Sequence, residues 1–165
     1  MRKALLASVV ILMSVMSASA QPLVFLVRHA ERADAGGKPA GMMADDPDLS
    51  AAGRARAERL AKLLEDARIT AIYTTEYKRT RQTAAPLAKT LGLEPVVVTS
   101  KDGASLVEKL KGATGHVLVI GHSNTVPDAI KALGVTEAVT IGDQDFDNLF
   151  VVIRGPTATL VRLHY

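Results

Sequence analysis

Two histidines in this chain follow short aliphatic runs, and each has a neighbour suited to anion binding. His29 closes the stretch that begins at Leu23 and comes directly after Arg28, while His122 comes directly after Gly121. An aliphatic run of about five residues that ends at a polar residue is typical of a strand buried on both faces of a parallel sheet. Side chains just past the carboxyl ends of such strands line the ligand crevice. Both imidazoles are therefore predicted to meet in one pocket beside Arg28, which indicates phosphate chemistry.

The elements that must position these residues alternate between strand and helix. Ser50 is a good N-cap for a stretch with apolar residues at helical spacing, and Gly92 and Gly112 follow two later helical stretches. A last pair of strands meets at Gly155-Pro156 and predicts a hairpin. The predicted strands are 23–27, 69–73, 95–98, 117–120, 148–154 and 157–164, and the predicted helices are 50–64, 78–91, 105–111 and 125–133.

This alternation predicts an α/β fold, a three-layer sandwich with a mostly parallel sheet and helices on both of its faces. The segment 33–48 has no apolar period and is rich in Gly, Pro and Asp, so it is interpreted as a loop. Its acidic stretch, 45–48, is interpreted as solvated, because a divalent metal site needs carboxylates that converge from several segments.

Residues 1–20 are predicted to be a secretory signal that lies outside the fold. A basic start and an apolar stretch at 4–16 precede Ala18 and Ala20, where a signal peptidase would cleave after Ala20. The alternative is an uncleaved anchor, but the stretch is shorter than the roughly 20 residues that a spanning helix needs. We therefore expect one domain at 21–165, a periplasmic or secreted location, and no stable membrane insertion after cleavage.

Charge and cysteine content exclude further classes of function. The chain has 20 basic and 17 acidic side chains, and 18 basic side chains remain once the signal is removed, which leaves a formal net charge of +1. This balance gives little support for a nucleic-acid partner. The chain has no cysteine, so disulfides, thiolate catalysis and cysteine-ligated metals are excluded.

Four motifs follow one another along the chain. They are Arg28-His29-Ala30-Glu31, the helix entry from Leu49 to Ala57, the stretch from Thr75 to Ala84 that contains Arg79, and Gly121-His122-Ser123. Together they resemble the histidine phosphatase superfamily, the phosphoglycerate mutase-like group, over residues 23 to about 133. A lone Arg-His pair is weak evidence, whereas four motifs in the correct order are strong. One departure is Thr75, which stands where the family usually has serine.

The resemblance implies a role for each of four residues. His29 would be the nucleophile that takes the phosphoryl group as a phosphohistidine, a role that a neutral imidazole can fill near pH 7. Arg28 and Arg79 would hold the phosphate oxygens, because a guanidinium fork matches two of them at once. His122 would be a second phosphate ligand, cationic with substrate bound, that stabilises charge on the transferring group.

The residue that protonates the leaving group stays open. Larger family members use a glutamate within a motif that the stretch 96–105 lacks, and Asp102 is the acidic side chain in that stretch. Glu31 is the other candidate, because it is close to His29 in sequence, although it could instead be a partner for Arg28. Some small members of the family lack a dedicated acid, as expected when the substrate has a good leaving group, as phosphohistidine does.

We therefore expect a metal-independent, cofactor-free phosphatase that cleaves a phosphomonoester or a phosphoramidate. No helical lid is inserted between Gly92 and Gly115, so the groove is expected to be open to a small metabolite, a sugar or a phosphorylated protein. The alternatives are a non-catalytic phosphate-binding module of the same fold and a histidine-ligated metal site. A mutase is disfavoured, because phosphoglycerates are cytoplasmic and the signal would export this protein.

Overall fold

A six-stranded sheet runs through the protein in a computed structural model that describes residues 21–34 and 46–165. The predicted signal, 1–20, and most of the predicted loop, 35–45, lie outside these ranges. The helices are α1 (Ala51–Leu64), α2 (Lys78–Leu91), α3 (Gly103–Gly112) and α4 (Thr125–Ala132). The strands are β1 (Leu23–Arg28), β2 (Ile69–Thr74), β3 (Val96–Val97), β4 (His116–Gly121), β5 (Asn148–Ile153) and β6 (Thr159–His164).

The strand order is β3-β2-β4-β1-β5-β6. The four strands from β3 to β1 pair in parallel, whereas β5 pairs antiparallel with both β1 and β6. The predicted α/β class, with a mostly parallel sheet, is confirmed, and so is the hairpin at the carboxyl end.

Helices cover both faces of the sheet and bury an apolar core on each side. On one face, α1 and α2 contribute Leu60, Leu64 and Leu87 against Phe25 of β1 and other strand residues. On the other face, α3 and α4 contribute side chains such as Leu110 and Ile130. This arrangement explains why β1 and β4 have continuous aliphatic sequences, since their side chains alternate between two buried faces.

The register of β1 and β4 sets the position of both site histidines. Arg28 pairs with Gly121 at the carboxyl ends of the two strands, and the His29 amide donates to the Gly121 carbonyl at 2.9 Å. The next strand over, β2, ends with Thr74 opposite Ile120 of β4. The residues that follow three adjacent parallel strands therefore emerge at one edge of the sheet.

Helix ends agree with the sequence prediction in part. The Ser50 hydroxyl accepts from the Gly53 amide at 3.0 Å, as a cap should. Helix α3 begins two residues before the predicted start at Ser105, because Asp102 caps it by accepting from the Ser105 amide. Asn124, expected to cap α4, makes no capping hydrogen bond through its side chain.

The described residues include no helix long and apolar enough to cross a bilayer.

Gly53 is predicted to be irreplaceable in α1 because of a backbone contact. A β-carbon there would lie 2.2 Å from the Glu31 carbonyl oxygen, whereas one at Gly112 would have nothing within 4 Å. Gly53→Ala should lower the free energy of unfolding by about 1–3 kcal/mol, as other overpacked sites do. Urea unfolding measures this change, and Gly112→Ala is the matched control. Equal stability of the two variants would contradict the packing argument.

Candidate functional site

The imidazoles of His29 and His122 lie together at the carboxyl edge of the sheet. Their ring centroids are 5.3 Å apart with an angle of 65° between the planes. Both rings are almost fully buried, with 4% and 9% of the residue exposed. The sequence predicted that these two side chains would share a pocket, and the structure brings them together there with Arg28 and Arg79.

The His29 ring is held as a neutral imidazole with one nitrogen free. Its Nδ1 lies 2.8 Å from the Ala30 carbonyl oxygen, and a carbonyl only accepts, so Nδ1 carries the hydrogen in this contact. Burial lowers the pKa of His29 to about 3, and the nearby His122, Arg79 and Arg28 act in the same direction. At neutral pH the Nε2 lone pair is therefore available to a phosphorus atom.

His122 is positioned by a chain of threonine hydroxyls. Its Nε2 lies 2.9 Å from Thr75 Oγ1, which in turn lies 3.0 Å from Thr80 Oγ1. The Thr80 hydroxyl donates to the Tyr77 carbonyl at 2.8 Å, so Thr75 is left to donate to Thr80 and to accept from His122 Nε2–H. Burial, followed by the charge of Arg79, lowers the pKa of His122 to about 4.

Two buried guanidinium groups face the same pocket with unused donors. Among the described residues, Nε of Arg28 and both Nε and Nη1 of Arg79 are buried and have no hydrogen-bond partner. Arg79 Nη1 does form an ion pair with Asp46, at a longer N–O distance of 3.7 Å. Burial lowers the pKa of each group. Leaving a buried charged donor unsatisfied is costly, so this geometry favours an anion that would accept from both side chains.

Aromatic rings and backbone carbonyls fix these guanidinium groups. Arg28 donates through Nη1 to the Gly142 carbonyl at 2.7 Å, and its Cζ stacks 4.2 Å from the Phe146 ring centroid. Arg79 stacks 4.1 Å from the Tyr77 ring centroid. Because the arginine planes are held before any ligand arrives, less conformational entropy is lost on binding.

The pocket has a volume of about 380 Å³ and is rich in positive charge. Arg32 and Lys101 line it in addition to the four predicted residues, and Ser123, Asn124 and Thr125 form the start of α4 at its wall. Arg32 also forms a bidentate ion pair with Asp34, at 2.7 and 2.9 Å. Over the part of the chain that the structure covers, the pocket lining contains no carboxylate.

The two candidate proton donors are engaged elsewhere. The Glu31 carboxylate forms a bidentate pair with Arg56, with its shortest contact at 2.7 Å. Burial would raise the pKa of Glu31, but the hydrogen bonds from Arg56 outweigh this and lower it. The Asp102 side chain caps α3 and lies in the wall of a neighbouring cavity. Neither side chain lines the pocket that holds the histidines.

Sequence reasoning missed several residues that build the site. Thr75 stood out only as a departure from a family pattern, and its hydrogen bond to His122 depends on β2 and β4 being neighbours. Thr83 lay within the second arginine motif, and it accepts from the Ala30 amide while donating to the Arg79 carbonyl. Phe146 carried no sequence signal, because it packs against Arg28 and His29 from a loop more than 100 residues away in sequence.

Nowhere in residues 21–34 and 46–165 do three or more His, Cys, Asp or Glu side chains converge in a way that could hold a metal ion. The positive charge of the pocket comes from side chains of the protein itself.

Stability is predicted to fall on acidification because both imidazoles are buried in neutral form. The unfolded chain binds protons at these histidines below pH 6.5, whereas the folded chain does so only near pH 4 and 3. With respect to these two histidines, the free energy of unfolding is therefore highest above pH 6.5, and it decreases as the pH falls toward 4 and 3. At about 1.4 kcal/mol per pKa unit, each histidine should lower the free energy of unfolding by on the order of 2 kcal/mol when the pH falls from 7 to 4.5.

Urea unfolding of wild type, His29→Asn and His122→Asn at both pH values measures this effect. Each substitution should reduce the acid-induced loss of stability. His164, an exposed histidine outside the pocket, supplies the control variant His164→Asn. If all four proteins lose the same free energy, burial does not keep these imidazoles neutral.

Thr75 is predicted to support anion binding through His122. Thr75→Val removes the 2.9 Å contact with Nε2 but keeps the side-chain shape, and one hydrogen bond contributes about 0.5–1.5 kcal/mol. Orthovanadate affinity, measured by titration calorimetry, should therefore fall up to about tenfold. Thr75→Ser should restore it. An unchanged affinity in Thr75→Val would show that the Thr75 hydroxyl does not support anion binding.

Comparison with known proteins finds a family match and similar solved structures. The family model described as histidine phosphatase superfamily (branch 1) matches residues 24–101. This range contains His29, Arg79 and Thr75 and ends before His122. No curated protein sequence matches the chain significantly.

Solved structures with a similar fold span nearly the whole described chain. One, assigned to the phosphohistidine phosphatase SixA from Agrobacterium tumefaciens, is 23% identical with a TM-score of 0.65, covering 87% of this chain and 98% of its own. The alpha-ribazole phosphatase from Shigella flexneri is 16% identical with a TM-score of 0.69, covering 87% and 96%. A mycobacterial glucosyl-3-phosphoglycerate phosphatase is 14% identical with a TM-score of 0.66, covering 87% and 98%.

At these identities the solved structures establish the fold, and the family model adds the sequence match around the first histidine and both arginines. The resemblance to the histidine phosphatase superfamily that the four motifs predicted is confirmed by the family model over residues 24–101, and the solved structures share the fold.

Proposed function

We propose that this protein is an exported, metal-independent phosphatase that hydrolyses a phosphomonoester or a phosphoramidate through a phosphohistidine on His29. The observation that carries the proposal is the pair of guanidinium groups of Arg28 and Arg79, which have buried donors without a hydrogen-bond partner and lie in one pocket with a neutral imidazole. A phosphate binding module needs the donors, whereas a nucleophile with a free Nε2 lone pair is needed only for group transfer.

In the first step, His29 displaces the leaving group. The Nε2 lone pair forms a bond to phosphorus, and the bond from phosphorus to the leaving oxygen or nitrogen breaks with its electron pair going to the leaving atom. Arg28 and Arg79 bind the phosphoryl oxygens, because fixed charged donors stabilise the developing charge well. The Ala30 carbonyl keeps the hydrogen of the ring on Nδ1 and supports the positive charge that develops on the imidazole.

In the second step, water hydrolyses the phosphohistidine. The water oxygen bonds to phosphorus, the N–P electron pair returns to Nε2, and the water proton passes to solvent. His122 lies against the same pocket, and a bound phosphate would raise its pKa by adding negative charge beside it. Protonated in this way, His122 would stabilise the transferring group in both steps.

The positions of the two candidate acids, Glu31 and Asp102, bear on the class of substrate. Glu31 stays ionised in its pair with Arg56, and Asp102 is occupied at the start of α3, so neither is positioned to deliver a proton. A substrate whose leaving group departs without enzymatic protonation fits this site. Phosphoramidates and aryl phosphates have such leaving groups, and the solved phosphohistidine phosphatase SixA is consistent with the first of these classes.

Export is the part of the proposal that depends on sequence alone. The basic, apolar and small-residue order of residues 1–20 supports a cleaved signal. The substrate would accordingly be a phosphorylated small molecule, sugar or protein met outside the cytoplasm.

Turnover of 4-nitrophenyl phosphate by wild type and His29→Ala, with and without EDTA, tests the proposed activity. His29→Ala should lower kcat by at least about a thousandfold, because the nucleophile is lost, and EDTA should leave the wild-type rate unchanged. His164→Ala, at an exposed histidine outside the pocket, is the control and should retain wild-type kcat.

The other outcomes distinguish the alternatives. Equal rates for His29→Ala and wild type would show that His29 is not the nucleophile. Inhibition by EDTA would indicate a metal-dependent reaction. Phosphate binding without turnover by the wild-type protein would identify a non-catalytic binding module.

A further inference from the structure

Arg32 has no part in the proposed reaction, although it lines the phosphate pocket. It shares that pocket with Arg28, Arg79 and both imidazoles. The pocket volume of about 380 Å³ is within the range of about 300–1,000 Å³ that small-molecule sites occupy. The pocket therefore has room for more of a substrate than one phosphoryl group, and Arg32 is placed to contact that remainder.

The backbone of Arg32 is fixed against the start of α1. Arg32 pairs with Leu49 in an isolated antiparallel bridge. The Ser50 amide donates to the Glu31 carbonyl at 2.9 Å, and Ser50 is the N-cap of α1. Arg32 therefore follows the site histidine on a segment with defined hydrogen bonds, which limits the positions that its side chain can reach.

The Arg32 side chain is also held in place. Its hydrogen bonds with described residues all go to Asp34, from Nε at 2.9 Å and from Nη2 at 2.7 Å. Asp34 is buried, with 6% of the residue exposed. A guanidinium has five N–H donors, so one edge of Arg32 is occupied and the donors of Nη1 stay available. A planar group fixed on one edge is prepared to bind an anion on another.

Arg32 is close enough to both phosphate-binding arginines to act on them electrostatically. Burial is the largest cause of the lowered pKa of Arg79, and the charge of Arg32 is the next. Burial also lowers the pKa of Arg28, where Asp143 and Asp145 oppose it and Arg32 adds to it. Three guanidinium groups therefore repel one another at this pocket, and anionic oxygens between them would relieve the repulsion.

We propose that Arg32 forms a second anion site beside the phosphate site, so that the preferred substrates carry a second anionic group, a phosphate or a carboxylate, a few bonds from the transferred phosphoryl group. This inference rests on the proposed function. Arg28 and Arg79 would hold the transferred group, and Nη1 of Arg32 would donate to the second one. A guanidinium fork matches carboxylate and phosphate oxygens alike.

Titration calorimetry with three phosphonates tests the second site without turnover. Ethylphosphonate has one anionic group, 3-phosphonopropionate adds a carboxylate, and ethane-1,2-diphosphonate adds a second phosphonate. The advantage of each two-headed ligand is its affinity divided by that of ethylphosphonate. In wild type, at least one of the two should have an advantage of tenfold or more, and the better ligand identifies the second group as a carboxylate or a phosphate.

Arg32→Gln/Asp34→Asn removes the second site without changing the net charge. Because both members of the ion pair are replaced, no buried carboxylate is left unpaired, and the advantage should fall at least fivefold. If this double variant does not fold, Arg32→Lys gives the same test, since it keeps a cation beside Asp34 and loses the Nη1 donors. The advantage should then fall at least threefold.

Lys101→Gln is the matched control. Lys101 is exposed and lines the same pocket, so this substitution removes a positive charge from the pocket while Arg32 stays in place. It should reduce the advantage less than twofold. An equal or larger loss in Lys101→Gln than in the Arg32 variants would assign the advantage to the general positive charge of the pocket and overturn the inference.

These measurements separate failure of the second site from failure of the proposed function. An advantage below tenfold in wild type, or one that the Arg32 variants retain, would show that Arg32 is merely the partner of Asp34. Binding of ethylphosphonate and turnover of 4-nitrophenyl phosphate would still support the proposed function in that case. Binding of none of the three phosphonates would overturn the second site and the phosphate pocket together.

Discussion

Two arginine side chains are held inside this protein with donors that no described residue accepts, and they lie against two imidazoles that burial keeps neutral. Such an arrangement costs free energy in the empty protein, since buried charged donors normally find partners. The cost would be recovered if an anion entered, because both guanidinium groups and both rings would then gain an opposite charge. At this edge of the sheet the unsatisfied donors lower the stability of the fold and favour the binding of an anion.

The same electrostatics separate the roles of the two histidines. His29 lies against a backbone carbonyl that fixes its hydrogen on Nδ1, which keeps Nε2 free as a nucleophile. His122 lies against a hydroxyl chain that ends at the Tyr77 carbonyl, so its Nε2–H is engaged by the Thr75 hydroxyl. Two chemically identical side chains can thus serve as nucleophile and as charge stabiliser because their hydrogen-bond partners differ.

Much of the candidate site could be predicted because its residues stand next to recognisable strands. Arg28, His29 and His122 follow aliphatic runs, and Arg79 lies in a motif with a fixed spacing. The proton donor could not be resolved in this way. Glu31 is adjacent to the pocket in sequence, yet it pairs with Arg56, which is 25 residues away, and local sequence carries no information about that partner. Likewise, Asp102 was a candidate acid in sequence but is a helix cap in the fold.

The sequence by itself determined the succession of strands and helices along the chain and the α/β class, because hydrophobic period and helix caps are local properties of the chain, and its motifs named the candidate site residues. Tertiary structure alone decided which of these residues meet. The parallel register that sets Arg28 opposite Gly121 brings the histidines together, and the position of β2 beside β4 brings Thr75 to His122.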